Sequence, residues 1–191
     1  DLSATRARDD SLKVVSGCRA LQRLNLSSTQ VTDEGIKAIA NCKSIESIDL
    51  SFTAVTDCGL SSLGGVLNLK ELYLGGTAIS DDGLRSLFRL AKLRGLSVAN
   101  TKISNKGLHH LAAFAELEYL DISNTHIDDD GTKLMPELKT IKSLSLFRTS
   151  ITDVGLQAIA EMEQLEKLDA SLNNITDVGL RSLTRLKQLK E

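Results

Sequence analysis

Apolar residues recur along this chain with a period of 24 residues. In the first complete copy, Leu21-x-x-Leu24-x-Leu26 alternates apolar and polar positions. Thr29, Val31 and the pair Thr32-Asp33 follow, and Gly35, Ile36 and Ile39 close the copy at helical spacing. Further copies start at Ile45, Leu69, Leu93, Leu117, Ile141 and Leu165, and Thr5, Thr29, Thr53, Thr77, Thr101, Thr125, Thr149 and Asn173 hold one register throughout. Self-similarity of this kind marks a stacked array of identical turns. The alternating stretch predicts a short strand whose leucines point into the core while the residues between them face solvent. Thr or Ser, then Asp, then Gly and Leu predicts the capped start of a short helix, with the acid at its positive end. The threonine in ninth place is expected to hydrogen-bond a backbone group as the chain leaves the strand, with Asn173 supplying an amide instead.

The frame Leu-x-x-Leu-x-Leu-x-x-[Asn/Thr/Cys]-x-Leu, met here as Leu21 to Val31 and its copies, resembles the leucine-rich repeat family. The return half, Val31-Thr32-Asp33-Glu34-Gly35-Ile36 or Ile151-Thr152-Asp153-Val154-Gly155-Leu156, is similar to the ribonuclease-inhibitor-like and cysteine-containing subtypes. The resemblance implies an α/β solenoid, curved like a horseshoe, with parallel strands on the concave face and short helices on the convex one. Residues 1–191 are expected to form a single domain of seven complete repeats, with partial repeats at both ends. Neither end carries a readable polar cap, as terminal repeats normally do. The chain therefore reads as an excerpt of a longer array whose open ends meet further repeats or a second copy.

A net charge of −2 over 191 residues, with 41% hydrophobic and 25% charged positions, gives no long-range attraction to nucleic acid or acidic membranes. No apolar run approaches the roughly 18 residues of a membrane span. Three cysteines do not make a disulfide framework, and an odd count places the chain inside a cell, in the cytoplasm. Cys18 and Cys42 fill the slot taken elsewhere by Val66, Leu90 and Phe114, so both are expected as buried thiols. The alternative is a bridge between stacked turns, and Cys58 should be more exposed. The sequons at Asn25 and Asn174 read as chance.

The acidic register Asp9, Asp33, Asp57, Asp81, Asp129, Asp153 and Asp177 supplies one acid per turn, which suits helix caps rather than a calcium loop crowded with acids. Asp128-Asp129-Asp130 is the one dense cluster and reads as a solvated cap. The fifth complete repeat should be irregular, since Thr132 replaces a core leucine and Pro136 stops the helix. Asn105 replaces the acid in the fourth.

Candidate binding chemistry lies on the strands. Of six aromatic residues, Phe52, Tyr73, Tyr119 and Phe147 occupy solvent-facing strand places, which hold about one sixth of all residues. Exposed aromatics are what interface hot spots are made of. Gly75, Gly76, Gly95, Ser97, Ala99 and Asn100 between them predict a shallow groove about 19 Å long at a strand spacing of about 4.8 Å. Asp49, Glu71 and Asp121 stand near its middle, Arg23 toward one end, and Arg148 and Lys167 toward the other. A protein segment with an apolar anchor and a basic residue fits that face. Phe88 and Phe114 fall on the return side and read as packing residues.

Enzymatic chemistry finds no support. His109 and His110 are adjacent and should project apart, His126 stands alone, and no metal-ligand spacing, phosphate loop or nucleophile elbow occurs. The expectation is a non-enzymatic protein-binding scaffold without cofactor or metal. Two other readings stay open: the substrate receptor of a ubiquitin ligase, which would need an F-box segment upstream, and a structural spacer in a larger assembly. An extracellular receptor ectodomain would require a signal peptide and disulfide-bearing caps.

Overall fold

The computed structural model describes residues 1–191. Seven three-residue strands, β1 (Arg23–Asn25), β2 (Ser47–Asp49), β3 (Glu71–Tyr73), β4 (Gly95–Ser97), β5 (Tyr119–Asp121), β6 (Ser143–Ser145) and β7 (Lys167–Asp169), form one open parallel sheet in chain order. Each strand pairs with the residue 24 places on, as in Leu24 with Ile48 and Leu72 with Leu96. The middle residue of each strand turns inward; Leu24, Ile48, Leu72, Leu96, Leu120 and Leu144 are buried. A single core of 41 residues runs the length of the stack. It is continuous because every turn buries the same places, so each layer packs only on its neighbours.

The exit from each strand is built identically. The eighth residue of every turn, from Ala4 and Ser28 through Phe52, Gly76, Asn100, Asn124 and Arg148 to Leu172, takes a left-handed conformation. The hydroxyl of the next residue donates back to the carbonyl three places earlier: Thr29 to Leu26 at 2.6 Å, Thr53 to Leu50 at 2.6 Å, Thr125 to Ile122 at 2.5 Å. A carbonyl turned away from the sheet ladder is thereby satisfied. Asn173 makes the expected amide version, donating to Leu146 O at 2.7 Å and Ala170 O at 3.0 Å.

Eight short helices cover the other side: α1 (Asp9–Val15), α2 (Asp33–Ile39), α3 (Asp57–Leu63), α4 (Asp81–Ser86), α5 (Asn105–Leu108), α6 (Asp129–Thr132), α7 (Asp153–Ile159) and α8 (Asp177–Leu180). α6 stops early where Thr132 and Pro136 predict it, and the buried Thr132 hydroxyl donates to Asp129 O at 2.7 Å. The shortening is wider than one repeat. α5 and α8 are also single turns, each continuing as a 3-10 turn, His109–Ala113 and Arg181–Arg185.

The acidic register has a different job from the one its spacing suggests. The caps are the hydroxyls, with Thr32, Thr56, Ser104, Thr152 and Thr176 accepting the N–H two residues on. The aspartate after each cap reaches forward instead, onto the cap of the following turn. Asp33 accepts the Thr56 N–H at 2.7 Å and its hydroxyl at 2.6 Å; Asp81 takes Ser104 at 2.8 and 2.6 Å, and Asp153 takes Thr176 at 2.8 and 2.6 Å. These clamps tie neighbouring turns together, and they explain the glycine of the motif. A Cβ on Gly59 would lie 2.5 Å from Asp33 Oδ1, and one on Gly107 2.5 Å from Asp81 Oδ1.

One clamp is reversed. In the fifth repeat the cap is Asp128, which accepts the Asp130 N–H. Its clamping partner in the fourth is Asn105, donating Nδ2 to Asp128 Oδ1 at 2.6 Å and accepting the Asp128 N–H at 3.2 Å. The bond to Asn105 holds the Asp128 carboxyl below its usual range, with backbone N–H groups and Lys133 adding to it and partial burial opposing.

Two packing expectations change. Cys42 is buried, with its thiol 3.8 Å from Ser16 O, but Cys18 is exposed because its turn is covered on one side only. All three cysteines are free thiols. Phe114 packs in the core at 3% exposure, whereas Phe88 stands out at 64%.

Candidate functional site on the concave face

The sheet register places the outward residues in two rows. One runs Arg23, Ser47, Glu71, Gly95, Tyr119, Ser143, Lys167, and the other Asn25, Asp49, Tyr73, Ser97, Asp121, Ser145, Asp169. Tyr73 and Tyr119 thus stand on the strands either side of β4, and both are half-buried. Gly95 lies between Glu71 and Tyr119, where a Cβ would make ordinary contact with Glu71 Cγ at 3.7 Å and Tyr119 Cδ1 at 3.8 Å. All three residues of β4 are buried. Ser97, placed by the sequence among the contact residues, is 8% exposed and donates its hydroxyl to Asp121 Oδ2 at 2.9 Å. The expected groove floor is therefore roofed by its neighbours.

The carboxylates of this centre lack cations. Asp49 accepts the Ser51 N–H at 2.8 Å, and Asp121 accepts the Ser123 N–H at 3.0 Å and its hydroxyl at 2.5 Å. Neither these two nor Glu71 forms an ion pair. The adjacent row is closed by Lys70–Glu46 at 2.8 Å, Lys142–Glu118 at 3.0 Å and Lys190–Glu166 at 2.6 Å. Burial, and then the nearby Asp121 and Tyr73, push the Tyr119 phenol up to about 12. Tyr73 is raised by burial first, then by Glu71 and Asp49.

A direct test follows. The folded state favours the neutral phenol, so this contribution to stability is whole below the ordinary tyrosine pKa of about 10 and is lost as pH rises toward the folded value. Alkaline titration followed by phenolate absorbance, with Tyr119→Phe to assign the signal, should show Tyr119 ionising near 12. Ordinary midpoints near 10 for both tyrosines would contradict this packing.

The phenylalanines sit elsewhere. Phe52 is in the strand-exit turn at φ 57, 63% exposed, with its ring against Gly76. A Cβ on Gly76, itself at φ +69, would lie 2.5 Å from Phe52 Cδ1. Phe147 is half-buried and its carbonyl accepts the Asn124 N–H at 2.7 Å. Asn100 is exposed beside them, accepting Asn124 Nδ2 at 2.6 Å, and Arg148 is exposed in the next exit turn but one. The structure thus gathers Tyr73, Tyr119, Asp49, Glu71 and Asp121 at the centre, and leaves Phe52, Asn100, Phe147 and Arg148 along one margin. That margin also holds an open shelf of about 630 Å³, where Lys102 and His126 join Gly76, Asn100 and Asn124. Sequence reasoning passed over Lys102 and His126 because both lie just past the strand, where no apolar alternation marks which way a side chain faces.

The sequence matches the family described as Leucine Rich repeat over residues 17–40, 41–64, 67–88, 117–134, 137–160 and 164–183. The chain belongs to the leucine-rich repeat family. The break in the match, residues 89–116, contains Gly95, Asn105, His109 and His110. Among solved structures the solenoid is similar to an internalin (inlF) from Listeria monocytogenes, with a TM-score of 0.80 and 23% identity over 98% of this chain and 51% of that one. It is also similar to internalin C2 from the same organism, with a TM-score of 0.76 and 24% identity over 98% of this chain and 76% of that one. A TDR receptor shares the fold at a TM-score of 0.60 and 17% identity, covering 91% of this chain and 31% of the receptor. At these identities the likeness is one of fold, and this leucine-rich repeat chain spans about half the length of the first internalin. No curated protein matches its sequence. Leucine-rich repeat solenoids are typically protein-interaction domains, and no helix here is long and apolar enough to cross a membrane.

Proposed function

We propose that this leucine-rich repeat solenoid binds a partner protein on its concave strand surface and performs no chemistry of its own. The observation that carries the reading is the pair of half-buried tyrosines, Tyr73 and Tyr119, set among Asp49, Glu71 and Asp121, three carboxylates with no cation of their own. Glu46, Glu118, Glu166 and Glu191 pair with lysines across the repeats, while Asp169 at the end of the sheet also lacks a cation. A partner segment offering a basic residue to this centre and an apolar anchor to the Phe52 and Phe147 margin would satisfy both. Aromatic faces attract cations as well as apolar groups, and desolvated aromatic anchors dominate most interfaces. Within the family, the Val55-Thr56-Asp57-Cys58-Gly59-Leu60 frame supports placement near the ribonuclease-inhibitor-like and cysteine-containing subtypes. The free thiols, with Cys42 buried among them, support a reducing, intracellular setting.

The test is affinity capture from a native lysate, comparing the chain with a version carrying Phe52→Ala, Tyr73→Ala, Tyr119→Ala and Phe147→Ala, after confirming that both unfold at similar temperatures. Loss of one specific partner is the expected outcome. Retention of every captured protein would move the function to the convex side or the ends, and with it to the spacer reading.

A further inference from the structure

The repeats can be compared place by place, and one convex spot stands apart. An acid and a base three residues apart stand on the outer face of four of the eight return helices, and three of these pairs close. Asp10–Lys13 closes at 2.7 Å, Glu34–Lys37 at 2.5 Å and Asp130–Lys133 at 2.6 Å. Asp82 and Arg85 have the same spacing on α4 and do not pair, which leaves the guanidinium exposed and without a carboxylate. Three residues further on stands Phe88, 64% exposed, in the place filled in the other turns by Ser16, Ala40, Gly64, Ala112, Pro136, Ala160 and Thr184. No core contact explains an aromatic ring there.

Both anomalies open onto the same feature. Between α4 and the 3-10 turn after α5 lies a notch of about 600 Å³, lined by Asp82, Arg85, Phe88, His109, His110 and Ala113. That is within the roughly 300–1,000 Å³ of ordinary ligand sites. The two histidines, adjacent in sequence and expected to project apart, both line it from the 3-10 turn that follows α5. Lys106 occupies, in the fourth repeat, the helix position held by Asp82 in the third. The notch therefore presents one guanidinium, two imidazoles and a single acid around an exposed ring.

We infer that this convex notch is a second docking site, independent of the concave surface, for an acidic segment of a partner protein carrying a large apolar side chain. Charge complementarity selects the occupant. A carboxylate matches the planar fork of Arg85, with the imidazoles of His109 and His110 beside it, while the apolar group covers Phe88 and Ala113. A basic segment would find Asp82 alone to receive it and would meet Arg85 with like charge.

The probe is an acetylated, amidated hexapeptide of alternating glutamate and phenylalanine. It is titrated into the isotope-labelled chain and followed by amide chemical shifts, with an alternating lysine–phenylalanine peptide and sodium phosphate as parallel probes. The glutamate peptide should give saturable shifts confined to residues 81–88 and 105–113. Arg85→Gln or Phe88→Ala should each weaken its apparent Kd about tenfold. Both side chains are exposed, so an unchanged amide spectrum elsewhere verifies the fold of each variant. The chain with all four concave aromatics replaced should bind the peptide as the parent does, which separates this site from the concave reading. Equal binding of the lysine peptide, shifts spread over the concave face, no saturation, or shifts that phosphate alone reproduces in full would each overturn the assignment.

Discussion

Asp33→Ala is expected to destabilise the solenoid by about 3 kcal/mol, since hydrogen bonds to charged groups contribute about 1.5–3 kcal/mol each and two are lost. The Asp33 carboxylate accepts both the N–H and the hydroxyl of Thr56, the cap of the next helix. Thr56 also accepts the Cys58 N–H at 3.3 Å, so its hydroxyl is already committed on both sides and cannot simply turn to a new partner. The effect should reach beyond one helix. A solenoid is held by interfaces between adjacent turns, and weakening one lets the stack open there first. Urea unfolding should shift to lower midpoint, with the turns before β2 separating from a transition sensed by Tyr73 and Tyr119, which lie in β3 and β5. The companion change Gly59→Ala forces a Cβ to 2.5 Å from Asp33 Oδ1 and should cost about 1–3 kcal/mol as overpacking. In Asp33→Ala with Gly59→Ala the clash with the carboxylate is gone and only the contact with Val55 Cγ1 at 3.0 Å remains, so the combined loss should be less than the sum of the two, as for contacting residues. A loss below about 1 kcal/mol for Asp33→Ala would mean that the clamp is no more than a surface contact.

Asn105→Asp should be harmful even though it restores the residue found at this place in most turns. The aspartate would face the Asp128 carboxylate, which now accepts Asn105 Nδ2 at 2.6 Å. A donor becomes a like charge, at a cost of about 1–2 kcal/mol at an exposed site and less as salt rises. Asp128→Thr alone removes the charged acceptor of Nδ2. The pair together recreates the clamp seen from Asp33 to Thr56 and should recover most of the loss. A double-mutant cycle read by urea unfolding at low and high salt measures the coupling directly. Additive effects, or a penalty unchanged by salt, would show that Asn105 and Asp128 are not linked in this way.

Much of this was legible in advance because a solenoid repeats its environment. Every turn buries the same places, so the 24-residue spacing of Leu24, Ile48 and Leu72, or of Thr29, Thr53 and Thr77, reveals which side chains face the core and which satisfy the strand exit. That information is contained within a single turn. The sequence could also single out Tyr73, Tyr119 and the three acids as concave-face residues, since alternation alone decides which face of a strand a residue occupies.

What lay between turns was not legible. Asp33 follows a cap residue in sequence and reads as a partner of its own helix, but stacking brings the next cap, 23 residues on, within 2.7 Å. Gly59 looks like a helix residue of no consequence until the preceding carboxylate is seen against its Cα. Ser97 alternates outward yet is covered, with its hydroxyl bonded to Asp121 of the next strand. Cys18 holds a place that suggests burial, and Phe88 is an aromatic on the return side, but the layers beside them do not cover them. His109 and His110 border one notch beside α4, which no residue in the sequence announces. The period by itself determined the fold, the core and the faces, because those depend only on where a residue sits in its own turn. Clamps, covered positions and open pockets were decided by tertiary structure, because each depends on the distance and lean between side chains of different turns.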